Sequence, residues 1–232
     1  LGTPLHYAIY YYYQAALSSF PVVHIALRDF YNITEVSDSI GKLKYPVKVY
    51  SNRNDVELIV NGKSYGVKNP ENYTINFLPE LINGVNVVEV KLNDKIIDAL
   101  AIQCSIIPQH LSDFSPKFFQ IGLNCGSNCN FTDDKSGFTW LADRPYSKGS
   151  FGYIGGKEYK PTDYKIGITD QVFGTRNNPL FQTFRLDAEG YQFDVPDGEY
   201  QIELSYISTI PEVCGDISEH NSFQFLINQQ DV

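Results

Sequence analysis

Apolar positions along this chain change period once. Leu5, Ala8, Ile9, Tyr12 and Ala16 recur at steps of three and four, the spacing that lays one stripe along a helix. Thr3 suits the N-cap, and Pro4 suits the first helical position, where a missing N–H goes unnoticed. Ser18, Ser19 and Pro21 end the run. A single helix with so many rings needs a surface to pack on: either sequence upstream of Leu1 or the first sheet.

From Pro21 onward the texture is that of short β segments. Residues 21–29, 45–51, 55–62, 73–78, 85–93 and 96–104 are rich in Val, Ile and Tyr and are separated by turn residues. Val56, Leu58 and Val60 form one alternating row, and Asn61-Gly62 is a type I′ hairpin signal; Asn93-Asp94 offers a second hairpin. This density of strands and turns predicts an immunoglobulin-like sandwich over 20–107, after a helix over 1–19. "IIPQHLSDFSPKF" (106–118) carries the proline and serine of a connection, so a linker is expected at 108–117.

After it come longer loops with more Gly, Asn and Asp. Tyr191, Phe193 and Val195, then Tyr200, Ile202, Leu204 and Tyr206, alternate as strand faces, and "SFQFLINQ" reads as a further strand. The fold class expected is all-β, with two consecutive β-sandwiches and one leading helix. Long loops between short strands are where such a scaffold carries binding residues.

Charge and composition narrow the function. Against 27 Asp and Glu stand 18 Lys and Arg, a net charge of −9, and "KLKYPVKVY" is the nearest approach to a basic run. Nucleic acid and anionic membrane surfaces are therefore poor partners. A neutral polar ligand such as a sugar is compatible with this balance. No apolar run reaches the ~20 residues of a membrane span. Met is absent, which reads as an excised or processed piece.

Reactive chemistry is sparse. His6, His24, His110 and His220 show no metal-ligand spacing, and no phosphate-cradling glycine motif follows a strand, so neither metal nor cofactor is expected. Cys125 and Cys129 share a Gly/Asn-rich loop and are read as free thiols or a local disulfide. Asp133-Asp134, Asp163-Asp170 and Asp197-Glu199 are acid pairs in turns, where Asp is expected anyway. Glycoside hydrolysis needs two carboxyl groups facing each other, so no catalytic residue is assigned.

Two stretches carry family resemblances. "HYAIYYYYQAALSSFPVVHI" with "VKVYSNRNDVELIVNGKSYGVK" resembles the end of glycoside hydrolase family 2 enzymes, the β-galactosidase and β-glucuronidase family. There a Tyr-rich helix closes the catalytic barrel and an immunoglobulin-like domain follows. "QIGLNCG", "FTDDKSGFTWLADRPYSKGSFGYIGG", "GTRNNPLFQTFR" and "YQFDVPDGEYQIELSY" resemble malectin-like carbohydrate-binding domains. That second likeness implies a galactose-binding-like jelly roll over 118–232, cut short at its C-terminus because the family's late acidic residue falls beyond Val232.

Together the resemblances imply the non-catalytic C-terminal region of a polysaccharide-degrading glycoside hydrolase. Its partners would be an oligo- or polysaccharide and the upstream catalytic domain of the same chain. Its place would be periplasmic, secreted or at the cell surface. The alternative is a pair of domains that only brace or oligomerise the enzyme.

Residues 138–156 set five rings among several glycines, a poor strand and a worse helix. Sugars offer C–H faces to aromatic rings and hydroxyls to polar groups. The candidate rings are Tyr146, Phe151, Tyr153 and Phe181, with Asp143 and Arg144 as polar partners. Tyr153 and Phe151 are equally readable as core. Asp143-Arg144 is readable as a structural ion pair or turn brace. Phe138 and Trp140 are expected in the core between sheets.

Overall fold

The computed structural model describes residues 4–27, 32–39, 41–111, 120–160, 167–206, 226–228 and 230–231. The leading helix, α1 (Pro4–Leu17), packs by one flank on the first sheet. The Tyr11 ring stacks on His24 with centroids 3.4 Å apart, and Tyr12 meets Tyr50 edge-on at 5.8 Å. Tyr10, Tyr13, Leu17 and Phe20 stay exposed.

Ten strands build the first half: β1 (Val23–Ile25), β2 (Asn32–Ser37), β3 (Lys42–Lys44), β4 (Val47–Ser51), β5 (Val56–Val60), β6 (Lys63–Lys68), β7 (Thr74–Phe77), β8 (Glu80–Ile82), β9 (Gly84–Leu92) and β10 (Lys95–Pro108). One sheet runs β1-β4-β7, a second runs β2-β10-β9-β5-β6, and β3 pairs with β8. The alternating rows face each other: Ile25, Val49 and Ile75 from one sheet meet Val56, Leu58, Val88, Val90 and Ile102 from the other. Each such buried side chain stabilises the fold by about 1.5–3 kcal/mol.

Both predicted hairpins form with the backbone their residues favour. Asn61 and Gly62 have φ of 51° and 78°, Asn93 and Asp94 of 50° and 62°, the positive pair a type I′ turn requires. The short strands β2, β3, β6 and β8 have no counterpart among the predicted segments. Their residues are mostly exposed or half-buried, so no apolar row marks them.

Strand β10 extends past the predicted stop at Cys104, because β2 pairs alongside it in parallel from Gln103–Asn32 to Pro108–Ser37. One face of that pair, Ile33 and Cys104, lies in the first core. Ile107 and Val36 instead join a second core with Leu111, Leu141, Phe151 and Val195. The predicted linker therefore begins inside packed structure: Pro108 is still strand, Leu111 is fully buried, and its N–H donates to the Gly149 carbonyl at 2.8 Å. Residues 112–119 lie outside the described residues. Across the same junction, the Asn130 side-chain amide donates to the Thr34 carbonyl and Glu35 Oε1, each at 3.3 Å.

The second half adds β11 (Gly122–Asn124), β12 (Phe131–Thr132), β13 (Thr139–Ala142), β14 (Phe151–Glu158), β15 (Arg185–Phe193), β16 (Leu226–Ile227) and β17 (Gln230–Asp231). Its sheets are β11-β13-β12, β14-β15 and β16-β17. The fold is all-β with a single α-helix among the described residues. The strand expected through Tyr200, Ile202, Leu204 and Tyr206 is not found: all four lie exposed and outside any strand. Of "SFQFLINQ", residues 226–228 are described.

Trp140 departs from its expected place. On β13, Thr139 and Leu141 are buried while Trp140 is half-buried on the opposite face. There it meets Phe138 edge-on at 4.7 Å and Phe131 at 6.1 Å. Gly122, opposite Trp140 in register, is the floor of this cluster, since a Cβ there would run into the Phe138 and Trp140 rings.

Candidate functional site

Asp143 follows β13, where its N–H is tied to the Ser127 carbonyl at 2.8 Å. Its Oδ2 accepts from the Gly126 N–H at 2.7 Å, Arg185 Nε at 2.8 Å and the Tyr191 hydroxyl at 3.2 Å. Oδ1 accepts from the Arg144 N–H at 3.1 Å. The Asp143 and Arg185 side chains are 1% and 6% exposed. This carboxylate is sealed and saturated, so it braces the fold and offers nothing to a ligand.

The close approach needs Gly126, whose φ is 78° and where a Cβ would overlap the Phe184 backbone. Burial above all, helped by the Cys125 thiol and the Asp143 carboxylate, pushes the Tyr191 phenol up, so it stays a donor. The acid's ionic partner is thus Arg185, 42 residues away in sequence, and not its neighbour Arg144.

Arg185 also lies over Tyr153, its Cζ 3.2 Å from the ring centroid. Tyr153 is half-buried, with one face taken by that guanidinium. Its N–H donates to the Arg144 carbonyl at 2.9 Å, and the Tyr146 N–H returns to the Tyr153 carbonyl at 2.9 Å. Residues 144–146 are thereby stitched beside β14.

Tyr146 heads a partly exposed polar group, the rim. Its hydroxyl donates to Asp194 Oδ2 at 2.7 Å and accepts from Gln192 Nε2 at 3.0 Å. Asp194 also accepts from the Gly149 N–H at 2.6 Å and from Gln192 Nε2 at 2.9 Å. Gln192, Tyr146 and the Gly149 amide hold the Asp194 carboxyl below its ordinary range, and the Asp194 carboxylate raises the Tyr146 phenol in turn.

Arg144 points the other way. Its Cζ sits 4.9 Å from the Phe151 ring centroid, and its Nη2 donates to Gln109 Oε1 at 2.6 Å. Phe151 is 0% exposed and parallel to Phe193, with centroids 5.8 Å apart. Its ring is core, packed with Ile107, Leu111 and Leu141. As a sugar-stacking ring Phe151 is corrected: Ile107 and Leu111 from the first half and Leu141 of β13 cover it.

Phe181 is half-buried at the end of a short turn, Asn178–Leu180. No ring contact joins it to Tyr146 or Tyr153 among the described residues. Its loop is tied down by Ile168 N–H to the Gln182 carbonyl at 2.8 Å and the Thr183 hydroxyl to Asn124 Oδ1 at 3.2 Å. The same loop presents Phe173, 90% exposed, a ring not among the six candidates. Its signal in the sequence is a phenylalanine beside a glycine in a polar stretch, Gln171 to Thr175.

Of the six, then, Tyr146 and Tyr153 are joined by backbone, Arg144 shares their segment but turns its side chain to Phe151 and Gln109, Asp143 and Phe151 are structural, and Phe181 stands apart. Cys104, Cys125 and Cys129 are free thiols, and Cys214 lies outside the described residues. Among the described residues no group of three His, Cys, Asp or Glu is arranged to hold a metal ion. Asp133 caps its own turn through the Lys135 N–H at 3.1 Å and the Ser136 hydroxyl at 2.8 Å. No helix among the described residues is long and apolar enough to cross a membrane.

A malectin-domain family model matches residues 119–232, and the model of a domain of unknown function, DUF4982, matches residues 42–80. The crystal structure of a Bacteroides uniformis β-glucuronidase is 39% identical over 82% of this chain, with a TM-score of 0.72. A calcium-binding double mutant of B. uniformis β-glucuronidase 2 is 39% identical over 82% of the chain, at 0.71. The same enzyme covalently bound to cyclophellitol-6-carboxylate aziridine gives 39%, 82% and 0.70. The chain spans 22%, 23% and 22% of those proteins respectively. No curated protein matches it significantly.

Proposed function

We propose that this chain, which sequence and fold place with the C-terminal region of family 2 glycoside hydrolases and whose second half is a malectin domain, is the non-catalytic accessory region of a polysaccharide-degrading glycoside hydrolase. In this reading the malectin domain binds an oligo- or polysaccharide and holds the enzyme at its substrate. Individually weak contacts then suffice, because tethering raises the local concentration of substrate. The upstream catalytic domain of the same chain would supply the hydrolytic carboxylates. A periplasmic, secreted or cell-surface location goes with that role.

One observation carries the reading. Tyr146, Asp194 and Gln192 form a hydrogen-bonded group of donors and acceptors at the rim, stitched by backbone to the half-buried ring of Tyr153. Hydroxyl partners beside an aromatic face are what a saccharide engages. Phe173 adds a free ring on a loop.

A second reading, pure bracing, is favoured by the burial of Phe151 and the saturation of Asp143. Exposed Tyr10, Tyr13 and Leu17 on α1 fit a brace docked on an upstream domain. Affinity electrophoresis of the intact chain in polysaccharide gels, followed by glycan arrays, separates the two. Binding predicts retardation that Gln192→Ala and Tyr146→Phe reduce without lowering Tm by more than a few degrees. Free migration through every gel leaves bracing alone.

A further inference from the structure

Two arginines of the second sandwich lie on aromatic rings, and the chain treats their charges differently. Arg185, on Tyr153, is neutralised by Asp143 at 2.8 Å. Arg144, on Phe151, has as its acceptor the uncharged amide of Gln109, at 2.6 Å. Among the described residues no carboxylate forms an ion pair with Arg144, and its Nε is sealed from solvent without an acceptor.

Burying part of a cation without a counter-charge is costly, and proteins ordinarily supply a carboxylate. Desolvation lowers the pKa of Arg144 accordingly, yet a guanidinium stays charged throughout the accessible pH range. Glutamate is isosteric with Gln109 and would neutralise the group in place. The amide found there is itself held, its Nε2 donating to the buried Ser150 hydroxyl at 3.3 Å. The charge is thus fixed in position and left open, while the residue as a whole remains partly exposed.

We propose that Arg144 is the anion-binding group of the saccharide site, so that the ligand carries an acidic substituent, a carboxylate or a sulfate. Gln109, which follows β10 of the first sandwich, is its positioning residue. The inference rests on the reading of the malectin domain as a glycan-binding module. Arg144 belongs by backbone to the segment that carries Tyr146 and pairs with Tyr153, and its guanidinium lies on the Phe151 side of that segment. Planar guanidinium suits carboxylate and sulfate alike, through paired N–H···O bonds. The net charge of −9 repels polyanions in general, so a preference for acidic sugars points to a specific cation.

The test is calorimetric titration of the intact chain with three probes: trigalacturonate, its carboxyl-reduced neutral counterpart, and a sulfated galactose oligosaccharide. At least one acidic probe should bind about 10-fold or more tightly than the neutral one, and which of them does so identifies the substituent. Arg144→Gln should erase the preference. Gln109→Glu is the cleaner variant, because it keeps shape and an oxygen that accepts from Arg144 while adding an internal counter-charge, the Ser150 hydroxyl turning to donate where it had accepted. It should bring the acidic probe down to the neutral one's affinity with Tm maintained. Equal affinity of the wild-type chain for all three probes, or a preference that survives Gln109→Glu, overturns the assignment while leaving a glycan-binding module. Failure of both acidic probes to bind overturns this assignment, and the polysaccharide gels decide the module reading separately.

Discussion

Arg185 donates to Asp143 at 2.8 Å with both side chains almost wholly inside the second sandwich. Charges taken from water gain stability only while they remain paired. Removing one leaves the other stranded, at about 3–5 kcal/mol. Asp143→Asn should therefore destabilise the second half by roughly that amount. Denaturant melts of the single variant and of a paired Asp143→Asn, Arg185→Met variant check it. The paired variant should recover much of the loss, since it removes the unpaired cation while an amide oxygen still accepts from the Gly126 N–H and the Tyr191 hydroxyl. Equal losses in the two would show that the ion pair is not what the site depends on.

Phe151 sits where two sandwiches share one core, among Ile107, Leu111 and Leu141. Truncating a buried phenylalanine costs about 3–5 kcal/mol through lost burial and a residual cavity. Phe151→Ala should fall in that range and Leu111→Ala within about 2–5 kcal/mol. Because Leu111 lies in the stretch read as linker, its variant is the sharper probe. A loss near zero would mean that the connection between sandwiches swings free.

What the sequence disclosed and what it hid divides along physical lines. Period-two burial made Val56, Leu58 and Val60 legible, and the φ preferences of Asn and Gly did the same for both hairpins. Edge strands such as β2 and β6 bury little, so no periodicity marks them. At the site, aromatic richness in 138–156 drew attention to the right segment. It could not say which rings faced in, because Phe151 and Tyr153 share the same alternation. Nor could it pair Asp143 with Arg185, since the two lie 42 residues apart. The neighbouring Arg144 looked like the natural partner, and only folding shows it reaching toward Gln109.

Thiol chemistry separates the cysteines. Cys104 is buried in the first core, where desolvation, reinforced by the Glu35 carboxylate, pushes its pKa up to about 11. It is neither exposed nor ionised at neutral pH, whereas Cys129 lies at the surface. Iodoacetamide at pH 8 followed by mass mapping should modify Cys129 within minutes and spare Cys104 until denaturant is added. Native-state modification of Cys104 at a comparable rate would show that the first core opens far more readily than its packing implies.

Asp194 gives the rim a defined response to acid. Its folded-state pKa is held below the ordinary carboxylate value by Gln192, Tyr146 and the Gly149 amide. A group depressed in the folded state contributes its stability above the unfolded-state pKa, about 3.9 for Asp, and loses it as pH falls through the folded value. Tm measured from pH 6 to pH 2 should therefore fall more steeply for the wild-type chain than for Asp194→Asn, the two curves converging below about pH 3.9. The variant keeps one acceptor oxygen for the Tyr146 hydroxyl but lacks the charge, which isolates the titrating contribution. Tyr146→Phe removes one of the three donors, so its acid limb should lie between the other two. Parallel curves for wild type and Asp194→Asn would mean that the carboxylate titrates as freely in the folded chain as in the unfolded one, and that its hydrogen bonds do not order the rim.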